Sequence, residues 1–179
     1  MRDVQTCPVK PWRKIDQRVV YERFRRVTSR RFELPNREIA DYEVIDLLDT
    51  AVILAMTPEN QVLLVRQFRP GPEELLVELP GGVVEPGRSP IEVAAAELLE
   101  ETGYRGALTP VGAIIKDAYA TNTKHVFVAT DCTRISEPEQ PELSEPLLVP
   151  LEEFREYLRT GRLADTDAGY RGLEGLGLL

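Results

Sequence analysis

The chain has 179 residues, a formal net charge of −8, and 42% hydrophobic and 29% charged residues. That is long enough for one domain with a real core and too apolar for a disordered chain. The acidic balance argues against a nucleic-acid partner, and no run approaches the ~20 apolar residues of a membrane span. Met1–Lys14 has no signal-peptide core, and Cys7 and Cys132 have no metal-ligand spacing, so a cytoplasmic protein is expected.

Residues 1–16 read as an N-terminal arm and 17–179 as a single domain, with N-terminal strands over 17–48 and a core over 49–179. Trp12 in the arm either packs on the domain or a partner subunit, or stacks on a base. Val19, Val20, Tyr21 and Phe24 favour a strand over Gln17–Arg26. Phe32, Leu34 and the turn at Pro35-Asn36-Arg37-Glu38 predict a hairpin, followed by a strand over Tyr42–Leu47. Arg23, Arg25, Arg26, Arg30 and Arg31 make this region basic, either as a solvated face or as one turned to a phosphate or a second subunit.

Thr50–Met56 (TAVILAM) is a short continuous apolar run, the sign of a strand buried on both faces. Pro58-Glu59-Asn60 turns the chain into a returning strand, Gln61–Phe68. Pro70-Gly71-Pro72 is a loop and Leu75–Leu79 leads on. After the central helix described below, Leu108–Lys116 reads as a strand, Asp117–Lys124 as a loop and His125–Ala129 as a strand. The lone histidine, His125, reads as a strand-edge or hydrogen-bonded residue rather than a base. Ser136–Pro146 is an acidic, proline-rich loop, Leu147–Val149 a strand, and Leu151–Thr160 an amphipathic helix stopped by Gly161. A last helix is expected to start near Asp165 and to fray through its glycines.

The most informative stretch is Glu78–Tyr104, ELPGGVVEPGRSPIEVAAAELLEETGY. Ser89, Pro90 and Glu92 fit a capping box and Gly103 fits a left-handed helix end. Ile91, Ala94, Ala95 and Leu98 form an apolar stripe, and Glu97, Glu100 and Glu101 centre roughly 130° from it. Three carboxylates at i, i+3 and i+4 repel on a bare helix and suit a hard divalent cation. Gly81 and Gly82 ahead of the helix suggest an unusual backbone path close to a ligand.

This stretch resembles the Nudix box, G-x5-E-x7-R-E-U-x-E-E-x-G-U, with Gly82 as its first glycine. Glu97, Leu98, Glu100, Glu101 and Gly103 fall on their positions, and Tyr104 on the last apolar one. Arg88 replaces the first glutamate and Ala96 the arginine. The run Arg66-Gln67-Phe68-Arg69 resembles a segment of the ADP-ribose pyrophosphatase branch. Asn122-Thr123-Lys124-His125-Val126-Phe127 resembles an asparagine variant of the loop that in many members carries a catalytic glutamate. The similarity spans roughly Val19–Leu163.

The resemblance implies an α+β fold, an α/β/α sandwich with a mixed sheet and an N-terminal antiparallel sheet that builds a homodimer. It implies metal-dependent hydrolysis of a nucleoside diphosphate linked to X, with ADP-ribose or a nucleotide sugar as substrate. Glu97, Glu100, Glu101 and the Gly81 carbonyl are the implied ligands of Mg²⁺ (or Mn²⁺), and Arg69 and Asn122 the substrate contacts. Glu100, Glu101 and Glu145 are the catalytic candidates, with Asp117 a further candidate base. The alternatives are an impaired Nudix-fold module that binds a nucleotide or protein, and a structural chain in which the glutamates are a solvated face.

Overall fold

The computed structural model describes residues 9–140 and 142–179. The part of the expected arm that holds Cys7 and Pro8 lies outside the described residues. The chain divides into two compact units, residues 1–47 with 117–122, and residues 48–116 with 123–179.

In the first unit, β1 (Arg13–Glu22), β2 (Arg26–Glu33) and β3 (Ile39–Asp46) form an antiparallel sheet in that order. Strand β1 starts at Arg13, inside the expected arm, and Arg23–Arg25 is the bend where the first strand was expected to run on. Arg37 takes a positive φ in the β2–β3 turn. Three arginines of the basic run, Arg26, Arg30 and Arg31, pair with acids of their own sheet. Arg30 Nη2 lies 2.6 Å from Asp46, and Arg31 donates to both Asp41 oxygens at 2.8 and 2.9 Å. Trp12 packs on Tyr42 and Phe32 at ring separations of 5.2 and 6.1 Å, and Tyr42 stacks on Tyr119.

The second unit is a mixed sheet between helices. Strands β4 (Thr50–Met56), β5 (Gln61–Arg69), β8 (Tyr104–Ile115), β9 (Thr123–Arg134) and β10 (Ser144–Pro150) run in the order β10-β5-β4-β9-β8. Strands β6 (Glu74–Glu78) and β7 (Gly81–Val83) pair with β5 and β4. Among these described strands only β4 and β9 pair in parallel, with Ala51 opposite His125. Side chains alternate along a strand, so TAVILAM serves two cores. Ala51, Ile53 and Ala55 pack with Leu63 and Phe127 under helix α1 (Pro90–Thr102). Val52, Leu54 and Met56 pack on the other face with Phe154 of α2 (Leu151–Thr160) and Leu173 of α3 (Thr166–Leu176). The chain is thus an α+β protein built as an α/β/α sandwich with a separate antiparallel sheet.

Two expectations are corrected. Helix α3 does not fray; it holds to Leu176 with Gly177 as its left-handed cap. Its glycines are there for close packing: a Cβ on Gly172 would strike Leu54, and one on Gly175 would strike Val111. Glu145 lies within β10, which starts earlier than expected, at Ser144.

Candidate active site

The helix signals fold as written. The Glu92 carboxylate accepts from the backbone N–H and the hydroxyl of Ser89, at 2.8 and 2.6 Å. Pro90 occupies the first turn. Gly103 ends the helix at φ 76°, its N–H donating 2.8 Å to Leu99. The buried side differs from the expected stripe. Val93, Ala94, Leu98 and Thr102 are buried, whereas Ile91 and Ala95 are exposed. The expected stripe shares Ala94 and Leu98 with the buried face, but Val93 and Thr102 replace Ile91 and Ala95, which turns that face toward the glutamates. Glu101 falls about 20° from Ala94 on the inner face, on the side away from Leu98, Glu97 stands nearer its edge, and only Glu100 is on the outside.

That rotation sets the electrostatics. Burial raises Glu101, against the pull of the Gly81 N–H, and the neighbouring Glu97 charge raises it further, to about 7. Glu97 is also raised, by burial first and then by Glu100, with Arg88 opposing. Glu101 is anchored from the sheet: Gly81 N–H donates to its Oε2 at 2.9 Å, and Gln67 Nε2 stands 3.5 Å from its Oε1, at the limit of a hydrogen bond. Neither Gly81 nor Gly82 has a positive φ, so the expected unusual backbone path is absent. They are glycines for lack of room. A Cβ on Gly82 would overlap the Glu97 carboxylate, and one on Gly81 would overlap the Ala51 carbonyl of β4.

A cavity of about 210 Å³ opens here, lined by Gln67, Glu97, Glu100, Glu101, Glu139, Gln140, Leu143 and Ser144. Among the described residues no three acidic, histidine or cysteine side chains converge into a ready metal cage. The donor set still fits Mg²⁺ or Mn²⁺. These cations take hard oxygens, keep several waters, and are held by one or two carboxylates together with substrate phosphates. Two half-buried carboxylates with raised proton affinity are charges in need of a cation.

The other expected residues are distributed as follows. Arg69, at the end of β5, is engaged with Glu78: Nε donates to Oε1 at 2.8 Å and Nη2 to Oε2. Its guanidinium is held above its ordinary value, chiefly by that hydrogen bond. Glu145 is not brought to the cavity. It pairs with Arg66, at 2.9 Å from Nε, and in the pleat it points to the face opposite its neighbour Ser144. Asn122 and Asp117 belong to the first unit. Asn122 is buried, its Oδ1 without a hydrogen-bond partner among the described residues, and Asp117 accepts from the Tyr119 N–H in a turn. His125 is a hydrogen-bonded strand residue, 3.1 Å from Asp49.

Sequence reasoning missed Gln67, Glu78, Glu139 and Ser144. Glu78 was legible as an acid set between Val77 and Leu79 just before Pro80-Gly81-Gly82. Glu139 was not, because only the fold brings its loop over the end of α1, with Glu139 N–H donating 2.8 Å to Glu100 O. Also unforeseen is buried Lys124, which donates to Asp165 at 3.0 Å and to Asp167 at 2.7 Å.

A carboxylate-bearing helix laid over a Gly-Gly strand, on a mixed sheet between helices, defines a Nudix-type fold and site. A NUDIX domain matches residues 46–167, and the chain belongs to that family of hydrolases. Over 143 residues it is 32% identical to the ADP-ribose pyrophosphatase of Bacillus subtilis (strain 168), covering 77% of each chain. Over 176 residues it is 28% identical to the CMP-5'-(N-acetyl-N-hydroxy-3-aminopropyl)phosphonate hydrolase of Streptomyces rubellomurinus, covering 93% of this chain and 83% of that one. A crystal structure of an ADP compounds hydrolase superposes with a TM-score of 0.78 at 21% identity, covering 97% of this chain and 100% of the other. This places the chain in the branch that resembles ADP-ribose pyrophosphatases.

Proposed function

We propose that this protein is a metal-dependent hydrolase that cleaves the diphosphate of a nucleoside diphosphate linked to X, with ADP-ribose or a nucleotide sugar as substrate. The observation that carries the proposal is the pair of half-buried carboxylates, Glu97 and Glu101, raised in proton affinity and opening on a polar cavity. Glu97, Glu100, Glu101 and the Gly81 carbonyl would hold Mg²⁺ or Mn²⁺, which would neutralise diphosphate charge and orient a water. Gly81 N–H keeps Glu101 turned inward. Arg69 binds the phosphates, a task its planar donors suit. Glu100, the exposed member of the three, takes the proton from the attacking water. Asn122 is assigned to the substrate on the resemblance of its segment to the asparagine variant of the family loop. Glu145 is left out of the chemistry because Arg66 holds it on the other face of the sheet.

The same proposal takes the protein as a cytoplasmic homodimer joined through its N-terminal strands. Every residue of β1 is exposed, and Ile15, Val19, Val20 and Tyr21 are among them. Among the described residues no helix is long and apolar enough to cross a membrane. The reading as an impaired binding module is not favoured, since the relatives reported above are named as hydrolases.

The test is incubation with ADP-ribose and Mg²⁺, with release of AMP and ribose 5-phosphate expected. EDTA and Glu101→Gln should each abolish it. No turnover of a broad panel of nucleoside diphosphate derivatives would refute the proposal.

A further inference from the structure

Arg69 is assigned to the substrate, yet its strongest partner is a side chain of its own protein. Its Nε and Nη2 face both oxygens of Glu78. The two residues come from neighbouring strands, β5 and β6, where Val65 pairs with Glu78 and Arg69 with Glu74. Gln67 and Arg69 share one face of β5, and Leu76 and Glu78 the matching face of β6. Arg69 therefore folds back along the hairpin to meet Glu78. Gln67 completes the group, its Nε2 standing 3.5 Å from Glu78 Oε2 and equally far from Glu101 Oε1.

The pair is asymmetric. The Glu78 side chain is 8% exposed, whereas that of Arg69 is 44% exposed. A surface ion pair would hold neither residue in place. Here the buried member is fixed and the exposed one is held by it. An arginine has two edges able to bind an oxyanion in bidentate fashion, the Nε/Nη2 side and the Nη1/Nη2 end. Glu78 occupies the first. The second meets no acceptor among the described residues and is pinned in direction, because a guanidinium is planar and two of its donors are already committed.

We propose that Glu78 is a positioning residue, which orients Arg69 so that the end-on Nη1/Nη2 edge meets the substrate diphosphate. The inference rests on the assignment of Arg69 to the phosphates. It explains why a carboxylate is buried one glutamine away from Glu101, where its own charge works against an anionic ligand. Glu78 gives up part of the arginine's charge and in exchange fixes its direction, so that less side-chain freedom is lost when the ligand binds.

The test is a double-mutant cycle on ADP-ribose affinity, measured by calorimetry in EDTA, with steady-state hydrolysis in Mg²⁺ beside it. Glu78→Gln keeps the shape and removes the charge. It should weaken ADP-ribose about tenfold, the worth of one charge-assisted hydrogen bond, and should raise KM more than it lowers kcat. On an Arg69→Ala background the same substitution should cost nothing further. Equal losses on both backgrounds would mean that Glu78 acts through the fold, and unchanged affinity in Glu78→Gln would mean that it does not act on Arg69; either overturns the proposal. If Arg69→Ala and Arg69→Lys both bind like wild type, the assignment of Arg69 to the phosphates fails, and this inference with it. Should Glu78→Gln not fold, Glu78→Asp keeps the charge, draws the arginine back by one methylene, and should show the same KM signature.

Discussion

Gly81 and Gly82 are adjacent, and an alanine at each should fail in a different way. At Gly82 the added methyl would lie inside 3.0 Å of the Glu97 carboxylate, the free end of a flexible side chain. Rotating that side chain away costs about 0.5–1.5 kcal/mol. An alanine also restricts the unfolded chain, which returns about 0.4–1 kcal/mol. The expected net loss is therefore under about 1 kcal/mol, a few degrees in Tm at this chain length. The carboxylate, however, moves by more than a bond length, and a misplacement of ~1 Å in a catalytic group costs on the order of 10²-fold in rate.

At Gly81 the methyl would meet main chain, the Ala51 carbonyl and, at 3.0 Å, Val52 Cα. Strand β7 would have to lift off β4 at the Val52–Gly81 pair. Overpacking of that kind costs about 1–3 kcal/mol or more. Denaturant melts of both variants, together with kcat/KM for ADP-ribose across a Mg²⁺ titration, separate the two effects. Gly82→Ala should be nearly as stable as wild type and about 10²-fold slower, with a raised Mg²⁺ requirement. A Gly82→Ala variant with wild-type kcat/KM, or one as unstable as Gly81→Ala, refutes the reasoning.

The remaining predictions concern stability. In EDTA, Glu101 is raised from 4.5 to about 7 in the folded protein. An acid with a raised folded value favours folding while protonated, so stability is full below about pH 4.5 and falls as pH rises toward 7. At about 1.4 kcal/mol per pKa unit the loss is on the order of 3 kcal/mol. Denaturant melts from pH 4.5 to 8 should show this slope in wild type, and Glu101→Gln should flatten it. Lys124→Met leaves Asp165 buried beside Glu78 without its cation and should cost about 3–5 kcal/mol in a urea melt; Lys124→Met with Asp165→Asn should recover most of it. Gly103→Ala forces a positive φ on an alanine and drives its methyl into the Ser136 carbonyl, so a loss above about 1 kcal/mol is expected from the backbone alone.

Elements whose signal is local were legible from the sequence. Helix α2 begins at Leu151 and stops at Gly161 as its pattern says, and TAVILAM is the doubly buried strand because nothing polar interrupts it. Inner faces were less legible. Ile91 and Ala95 are as apolar as Val93 and Ala94, and only the sheet decides which pair is covered. The ladder between β7 and β4 makes that decision, and it turns Glu101 inward. Glycines mislead in the same way. Gly81, Gly82 and Gly172 read as freedom of the backbone, whereas each is a place where another atom needs the space. The partners of Arg69 and Glu145 depend on strand register, which no local pattern states.

The two departures from the Nudix box can be weighed on the same ground. The box arginine would sit at Ala96, next to Glu97 in sequence. Without it the carboxylates depend on cations from other elements. Arg88 comes from the loop before α1; its Nη2 lies 3.3 Å from Glu92 O and its charge opposes the rise of Glu97. Arg69 comes from β5, and its charge opposes the rise of Glu101. Neither cancels the effect of burial, and both glutamates stay above their ordinary value. A fully compensated cluster would gain little from a divalent cation, because its charges would already be met. Glu101 is held in place by Gly81 and Gln67, but the cluster remains short of positive charge. That is the condition under which a bound cation adds most, so the altered box is compatible with the proposed metal role rather than a bar to it.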